Sequence, residues 1–143
     1  MKKVSVSWSG DRCFDGVDSK GMPVDIDGHQ KLGAKPSELL PIALCACSAV
    51  DVVEELRKSK GELLGLYVEA LFTQAIRHPW PFQRIHLHYV ITGKNISVDE
   101  VDEAIRLSLE ERCSVAATIR ASVKLESSFE LRHPEDNTAE LPG

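Results

Sequence analysis

The segment from Leu39 to Leu56, LLPIALCACSAVDVVEEL, constrains the fold of this chain more than any other part of the sequence. It is apolar until its charged end, which predicts a helix that is buried on most of its circumference. Its apolar run, Leu39 to Val53, is too short to span a bilayer and is interrupted by Pro41, Ser48 and Asp51. One small sheet cannot cover such a helix on all sides. We therefore expect a second subunit to complete the core.

The remaining segments separate strand patterns from helix patterns. Alternating residues predict strands in VSVSW, Met22–Ile26, GLYVEALFTQAI, FQRIHLHYVITG and Val123–Leu131. In the fourth of these strands four apolar residues share one face: Ile85, Leu87, Tyr89 and Ile91. Such segregation indicates an α+β fold with mostly antiparallel sheets rather than alternating βαβ units.

Local signals predict where the helices begin and end. Ser37 is expected to cap the first helix, and Gly61 is expected to end it. A second helix is expected to begin with a capping box formed by Ser97 and Glu100. A short helix is expected over Val115–Ala121.

Length and charge limit the organisation and the partners of the chain. With 143 residues it is expected to form one domain over residues 1–131, followed by a polar tail, residues 132–143, that we expect to be disordered. A net charge of -5 argues against nucleic acid as a partner. The sequence shows no signal peptide, so we expect a cytoplasmic protein, away from membranes, whose cysteines are reduced.

The cysteines are the strongest chemical signal. Residues two apart on a helix point roughly 200° from each other, so Cys45 and Cys47 cannot pair. Cys47 shares its face with Asp51. Cys113 is expected at a helix start, where the helix dipole and the neighbouring Arg112 would favour its thiolate. The alternative, which the residues alone leave open, is that all the cysteines pack as small apolar side chains.

Two other polar features have more than one interpretation. Asp51 must meet a helix end, an arginine or solvent, because an unpartnered buried carboxylate is costly. It can serve either a structural ion pair or catalysis. His86 and His88 alternate on one strand face and could chelate a metal, but no Cys-x-x-Cys or spaced Cys/His motif accompanies them. The sequence therefore predicts no metal site.

Three segments together resemble a known family. KPSELLPIALCACSAVDVV, PFQRIHLHYVITG and AIRLSLEERCSV, in this order, are similar to sequences of the OsmC/Ohr family (osmotically inducible protein C and organic hydroperoxide resistance proteins), and most of all to its YhfA-like branch. The resemblance extends from about Val4 to Leu131. It implies an α+β fold in which two chains intertwine as a homodimer, with two central helices between sheets and active sites at the interface.

The resemblance also implies an activity. The family's peroxidases reduce organic hydroperoxides or hydrogen peroxide with two cysteines, and the motif match gives Cys47 the peroxidatic role and Cys113 the resolving role. A sulfenic acid on the first cysteine is reversible when a second thiol traps it. An external dithiol, of lipoyl type in some members, then reopens the disulfide, and no bound cofactor is expected. Cys13 and Cys45 match neither position and are interpreted as structural.

Supporting residues of the family match less closely. The peroxidases have a glutamate directly after a motif proline, whereas here Ser37 follows Pro36, and Glu38 lies about 100° further around the helix. Arg12 corresponds to the arginine that favours the thiolate in the family. Arg112 is a local alternative, and the sequence does not decide between them.

Substrate contacts and an alternative function complete the expectations. Glu38, Asp51, Trp80 and Phe82 are candidates for the substrate site, the two aromatic residues as an apolar wall. The HPWPF segment can equally be a stiff loop with ordinary core aromatics. The missing glutamate motivates the alternative function, a non-catalytic dimer that binds a small molecule or senses redox state.

Overall fold

Three short strands joined by tight turns form the N-terminal unit of the molecule, Met1–Leu40. The structure is a computed structural model that describes residues 1–136 of the chain. Strands β1 (Ser5–Gly10), β2 (Cys13–Val17) and β3 (Pro23–Asp27) pair antiparallel in the order β1-β2-β3. The alternation in VSVSW and Met22–Ile26 predicted β1 and β3, whereas β2 was not predicted.

Helix α1 comprises Leu39–Leu56 and follows a short 3-10 turn, Pro36–Glu38. The prediction that Ser37 caps the helix is wrong. Ser37 lies inside the 3-10 turn. The N-cap position is taken by the extended Lys35, whose side chain makes no capping hydrogen bond. Pro41 falls in the first turn of α1, where backbone N–H groups have no intrahelical partner, so the missing donor costs nothing.

The end of α1 also differs from the prediction. The helix ends at Leu56, and Gly61 lies beyond it, at the start of the C-terminal sheet. A Cβ atom on Gly61 would collide with the carbonyl oxygens of Lys94 and Asn95. Glycine is required here for close backbone approach and not for ending the helix.

The C-terminal unit, Pro41–Gly143, contains a second three-stranded sheet. The long strands β4 (Glu62–Gln74) and β5 (Phe82–Lys94) form an antiparallel hairpin. Strand β6 (Lys124–Arg132) pairs with β5 in parallel. A parallel neighbour needs a crossover connection, which the intervening helices supply.

The crossover consists of two helices joined by a wider turn. Helix α2, Val98–Leu107, begins with the predicted capping box, in which the Ser97 hydroxyl and the Glu100 carboxylate accept each other's backbone N–H at 3.1 and 2.8 Å. A π-helical turn, Ser108–Arg112, follows, and helix α3 comprises Ser114–Ile119. The expected short helix is therefore present, starting one residue earlier and ending two residues earlier.

The core of the C-terminal unit lies between the sheet and the helices. The four apolar residues predicted to share one face of β5 are all at most 1% exposed. They pack with the inner sides of the helices, including Leu44, Val52, Val101 and Ile105. The opposite side of α1 is open: Ile42, Ala46 and Val50, spaced one turn apart, are exposed.

The predicted disordered tail is only partly described. Arg132 belongs to β6. Residues 137–143 lie outside the described residues, so disorder there stays a prediction.

Candidate active site

Cys47 lies in the middle of α1 with its sulfur directed at the beginning of α3. Its Sγ is 3.9 Å from the hydroxyl oxygen of Ser114. The Cys113 thiol and the backbone N–H groups of Ser114 and Val115 also lie close enough to this sulfur to lower its pKa. Cys47 is only partly buried, so a small molecule can reach it.

Cys113 occupies the N-cap position of α3, where its extended backbone connects the π-helical turn to the helix. It is 2% exposed, and the N–H of Ala116 donates to its Sγ at 3.4 Å. Its thiol also contacts Cys47, and both cysteines are free. The fold therefore brings together the two cysteines that the sequence motifs paired.

The two thiols have opposite acidities. Burial opposes ionisation of Cys47, but the hydrogen-bond donors around its sulfur, the Cys113 thiol foremost, outweigh burial and lower its pKa. Burial raises the pKa of Cys113 to about 11, and its role as donor to Cys47 adds to this. The expectation that the helix start favours a Cys113 thiolate is therefore wrong. Cys47 is therefore the thiol of the pair that ionises first.

Arg112 is paired with a glutamate, and Arg12 lies in the other unit of the chain. Arg112 donates to Glu55 through a 2.8 Å ion pair, and within the described chain it is not among the groups that lower the Cys47 pKa. Arg12 and Glu38 belong to the N-terminal unit, where Glu38 accepts a 2.8 Å hydrogen bond from Gln30. The roles expected for Arg12 and Glu38 at the cysteine site stay predictions.

A chain of buried hydroxyl groups lies behind the cysteines; we call Tyr89, Ser48, Ser108 and Asp51 the hydroxyl chain. Tyr89 on β5 hydrogen bonds to Ser48 on α1. Ser108 in the π-helical turn is 2.8 Å from the Ser48 hydroxyl and 2.9 Å from Oδ2 of Asp51. The first three residues are fully buried. The partner of Asp51 is thus a serine and not an arginine.

Every hydroxyl in this chain has a hydrogen-bond partner, as the cost of unpaired buried polar groups demands. Ser108 is the donor both to the Ser48 hydroxyl and to Asp51, so its single hydrogen has two acceptors. Between Tyr89 and Ser48 either hydroxyl can donate. Burial raises the pKa of Tyr89, so its hydroxyl keeps its hydrogen.

The hydroxyl chain ties together the three elements that position the cysteine pair. Ser48 directly follows Cys47 on α1, and the carbonyl of Ser108 accepts the N–H of Cys113 at 2.7 Å. A π-helical turn is uncommon and often marks a functional site. Here it places Cys113 at the head of α3, facing α1.

Trp80 and Phe82 lie in and after the loop that joins β4 to β5. Phe82 packs its ring against Phe72 with centroids 5.3 Å apart. Trp80 is 52% exposed and meets the ring of His78 edge-on at 4.7 Å. These contacts lie within the hairpin, and a substrate role for either residue stays a prediction.

The remaining cysteines and histidines lie elsewhere. Burial is the main factor that raises the pKa values of Cys13 and Cys45, which accords with structural roles. His86 and His88 lie on the face of β5 opposite the core, as their alternation predicted. Within residues 1–136, no three His, Cys, Asp or Glu side chains converge as a set of metal ligands.

Four residues at this site were not identified from the sequence: Ser48, Tyr89, Ser108 and Ser114. Hydroxyl residues are common in every kind of element, so their presence alone gives no signal. The one usable signal was the occurrence of Ser48 and Asp51 in an otherwise apolar helix. Polar groups in such a place need buried partners.

Comparisons with known proteins agree with this fold. The family model described as OsmC-like protein matches residues 28–128. Protein YhfA of Escherichia coli (strain K12) is 31% identical over 127 residues, which cover 88% of this chain and 95% of that protein.

Solved structures of other proteins share this fold. A hypothetical protein from Aquifex aeolicus VF5 superposes with a TM-score of 0.84 and 29% identity, over 93% of this chain and 97% of that one. The organic hydroperoxide resistance protein OhrB of Bacillus subtilis shares the fold, with a TM-score of 0.60, 17% identity and coverage of 91% and 98%.

Fold and site thus define an α+β protein with two sheets in which two cysteines, one on a helix and one at the head of another, face each other. The chain belongs to the OsmC-like protein family. Among the residues that the structure describes, no helix has the length and apolar content needed to cross a membrane.

Proposed function

We propose that this protein is a thiol-dependent peroxidase that reduces organic hydroperoxides or hydrogen peroxide with Cys47 and Cys113. The supporting observation is the contact between these thiols together with the opposite shifts of their pKa values. A peroxidatic cysteine must form a thiolate and be accessible, and Cys47 has a lowered pKa and is only partly buried. The family also includes proteins named for organic hydroperoxide resistance.

In the first step the Cys47 thiolate attacks the nearer oxygen of the peroxide. An S–O bond forms as the O–O bond breaks, and the departing alkoxide takes a proton and leaves as an alcohol. Cys47 is oxidised to a sulfenic acid, and the peroxide is reduced. The N–H groups of Ser114 and Val115, which stabilise the thiolate, remain available to the sulfenic oxygen.

In the second step Cys113 attacks the sulfur of the sulfenic acid. A disulfide forms, the S–O bond breaks, and the hydroxide leaves as water after it takes the proton of the Cys113 thiol. The high pKa of Cys113 keeps that proton in place until the sulfenic acid exists. An external dithiol, of lipoyl or another type, then reduces the disulfide by thiol–disulfide exchange. The chain itself needs no bound cofactor for these steps.

Further parts of the proposal concern the assembly. The exposed apolar stripe Ile42, Ala46 and Val50 on α1 is suited to bury against a second copy, giving a homodimer with the site near the interface. Arg12, Glu38 and Asp51 would supply charge at this site. Trp80 and Phe82 would form an apolar wall for an organic peroxide. We place the protein in the cytoplasm, where reduced dithiols are available.

Peroxide consumption by the purified protein tests this function. With dithiothreitol or a reduced lipoyl compound, the native protein should consume cumene hydroperoxide, and Cys47→Ser should abolish the reaction. Cys45→Ser is the matched control, because it changes a thiol on the other side of the same helix and should retain turnover. The proposal fails if the native protein consumes no peroxide, or if Cys47→Ser is as active as the native protein.

A second candidate is a redox-sensing or small-molecule-binding dimer without turnover. The observation that favours it is the engagement of Arg112 with Glu55, which leaves Cys47 without that cation. It predicts that Cys47 forms the disulfide once with peroxide and that reductants restore it too slowly for turnover. A Cys47 pKa at the ordinary thiol value, about 8.5, would favour a binding role.

A further inference from the structure

Two histidines and one serine meet on the outward face of the C-terminal sheet, across strands β5 and β6. Nε2 of His86 and Nδ1 of His88 each lie 2.7 Å from the hydroxyl oxygen of Ser128. The two side chains are 30% and 23% exposed, so both rings are partly held by their surroundings. One nitrogen of each ring is therefore directed at the same point.

The other nitrogen of each ring faces a carboxylate. Nδ1 of His86 is 3.6 Å from Oε2 of Glu126, and Nε2 of His88 is 3.5 Å from Oε1 of Glu130. Lys124 first, and then His86 and Arg84, lower the pKa of the Glu126 carboxyl group. Arg132 first, and then His88, lower the pKa of the Glu130 carboxyl group. We call His86, His88, Ser128, Glu126 and Glu130 the histidine cluster.

The Ser128 hydroxyl cannot serve both rings as a donor. It has a single hydrogen, so it donates to at most one of the two nitrogens that lie 2.7 Å from its oxygen. The carboxylates lie 3.6 and 3.5 Å from the outer nitrogens, longer than a well-formed hydrogen bond. Two imidazole nitrogens from alternate residues of one strand therefore converge on one small polar group. A bare imidazole nitrogen is the form that binds metal ions.

We propose that the histidine cluster binds one divalent transition-metal ion through Nε2 of His86 and Nδ1 of His88. Imidazole nitrogens suit nickel, copper and zinc ions. Water and the Ser128 hydroxyl can fill the remaining coordination positions. Glu126 and Glu130 act behind the ligands, because a carboxylate that accepts the second N–H of a metal-bound histidine fixes its orientation and raises its basicity.

The proposed site is separate from the cysteine pair. The histidines point away from the core side of β5, whereas Tyr89 on the same strand points toward the hydroxyl chain. The site does not depend on peroxidase activity, and its occupation needs no redox step. Metal binding at the histidines and peroxide chemistry at Cys47 can therefore be tested independently.

Calorimetric titration of the reduced native protein with nickel chloride tests the proposal. We expect one nickel ion bound per chain and a loss of affinity of about tenfold or more in His86→Asn and in His88→Asn. His78→Asn, which removes a histidine from the loop between β4 and β5, is the matched control and should bind like the native protein. Cys47→Ser should also bind nickel like the native protein, because it removes only a thiol that could bind nickel outside the histidine cluster.

Three results would overturn the proposal: no nickel binding by the native protein, equal affinity in the native protein and the two cluster variants, or loss of binding in Cys47→Ser. A second measurement requires no variant. Nickel is paramagnetic, so binding should broaden the imidazole resonances of His86 and His88 in the native protein before those of His29, His78 and His133. Sharp resonances of the two cluster histidines in the presence of bound nickel would contradict the assignment.

Discussion

His88 and Tyr89 are neighbours on β5, yet they point to opposite faces of the sheet. They belong to two polar clusters that differ in how their hydrogen bonds are completed. In the hydroxyl chain on the inner face, three fully buried hydroxyl groups are linked by hydrogen bonds, and Ser108 also donates to the carboxylate of Asp51. In the histidine cluster on the outer face, two nitrogens share a single hydroxyl hydrogen. Every buried hydroxyl of the inner cluster has a partner inside the fold, whereas the groups of the outer cluster can also bond to water.

Burial explains this difference. Tyr89, Ser48 and Ser108 are 0% exposed, so an unpaired group among them would cost its full desolvation free energy. The histidines are partly exposed, so water can serve an unpaired nitrogen at little cost. A complete buried network fixes geometry, here around the two cysteines. An incomplete network near the surface can accept a proton or an ion.

The same substitution at the two central serines should separate the clusters most clearly. Ser108→Val should lower the free energy of unfolding by about 3 kcal/mol, because it leaves the Asp51 carboxylate and the Ser48 hydroxyl without their partner. Ser128→Val should cost less than about 1 kcal/mol, because a β-branched residue suits a partly exposed strand position. Urea unfolding at one fixed protein concentration gives both values. Equal losses in the two variants would contradict the comparison.

Removal of the Tyr89 hydroxyl, at one end of the hydroxyl chain, should lower the free energy of unfolding by a smaller amount. Tyr89→Phe keeps the ring packed in the core and removes only the hydroxyl, so we expect a loss of about 1 kcal/mol in the free energy of unfolding. Tyr67→Phe is the matched control. Its hydroxyl donates to Glu69 at 3.1 Å in a partly exposed position on β4, and its loss should cost less than about 0.5 kcal/mol. Similar losses of unfolding free energy in the two variants would mean that the Tyr89 hydroxyl stabilises the protein no more than a partly exposed hydroxyl does.

The smallest effect concerns the acidity of the thiols in front of the hydroxyl chain. Cys47 should react with iodoacetamide in its thiolate form at pH values below the ordinary thiol pKa, and its rate should fall as the pH drops through its lowered pKa. Cys113 should react only toward pH 11. Ser114→Ala removes a hydroxyl that lowers the Cys47 pKa, so the pH midpoint of Cys47 alkylation should rise slightly. Thr118→Ala, one helical turn further on, should leave this midpoint unchanged. Peptide mass spectrometry measures the alkylation of each cysteine as a function of pH. Equal midpoints for Cys47 and Cys113 would contradict the opposite shifts of their pKa values.

The sequence was sufficient for the parts of the fold that depend on local pattern. The alternation in β5, the capping box at Ser97 and the apolar helix α1 are short-range signals, and the structure confirms all of them. The helix ends were less predictable. Ser37 has the side chain of a capping residue, but Pro36 begins a 3-10 turn there instead.

The site was predictable only where a sequence motif existed. Cys47 and Cys113 were found through their motifs, although nothing in the spacing alone brings them together. The effect of Arg112 was predicted wrongly because its partner, Glu55, lies on a different helix, and such pairs form only in the folded chain. Ser108 was missed for the same reason, since its role depends on a π-helical turn and on two residues of α1.

The disulfide between Cys47 and Cys113 is the most direct test of the central claim that these two thiols work as a pair. The native protein should be treated with one equivalent of hydroperoxide, alkylated and digested without reduction, and its peptides identified by mass spectrometry. We predict a linked peptide pair that contains Cys47 and Cys113, absent from untreated protein and lost after addition of a dithiol. Cys47 found as sulfinic or sulfonic acid with Cys113 still a free thiol, or linked instead to Cys13 or Cys45, would contradict the account.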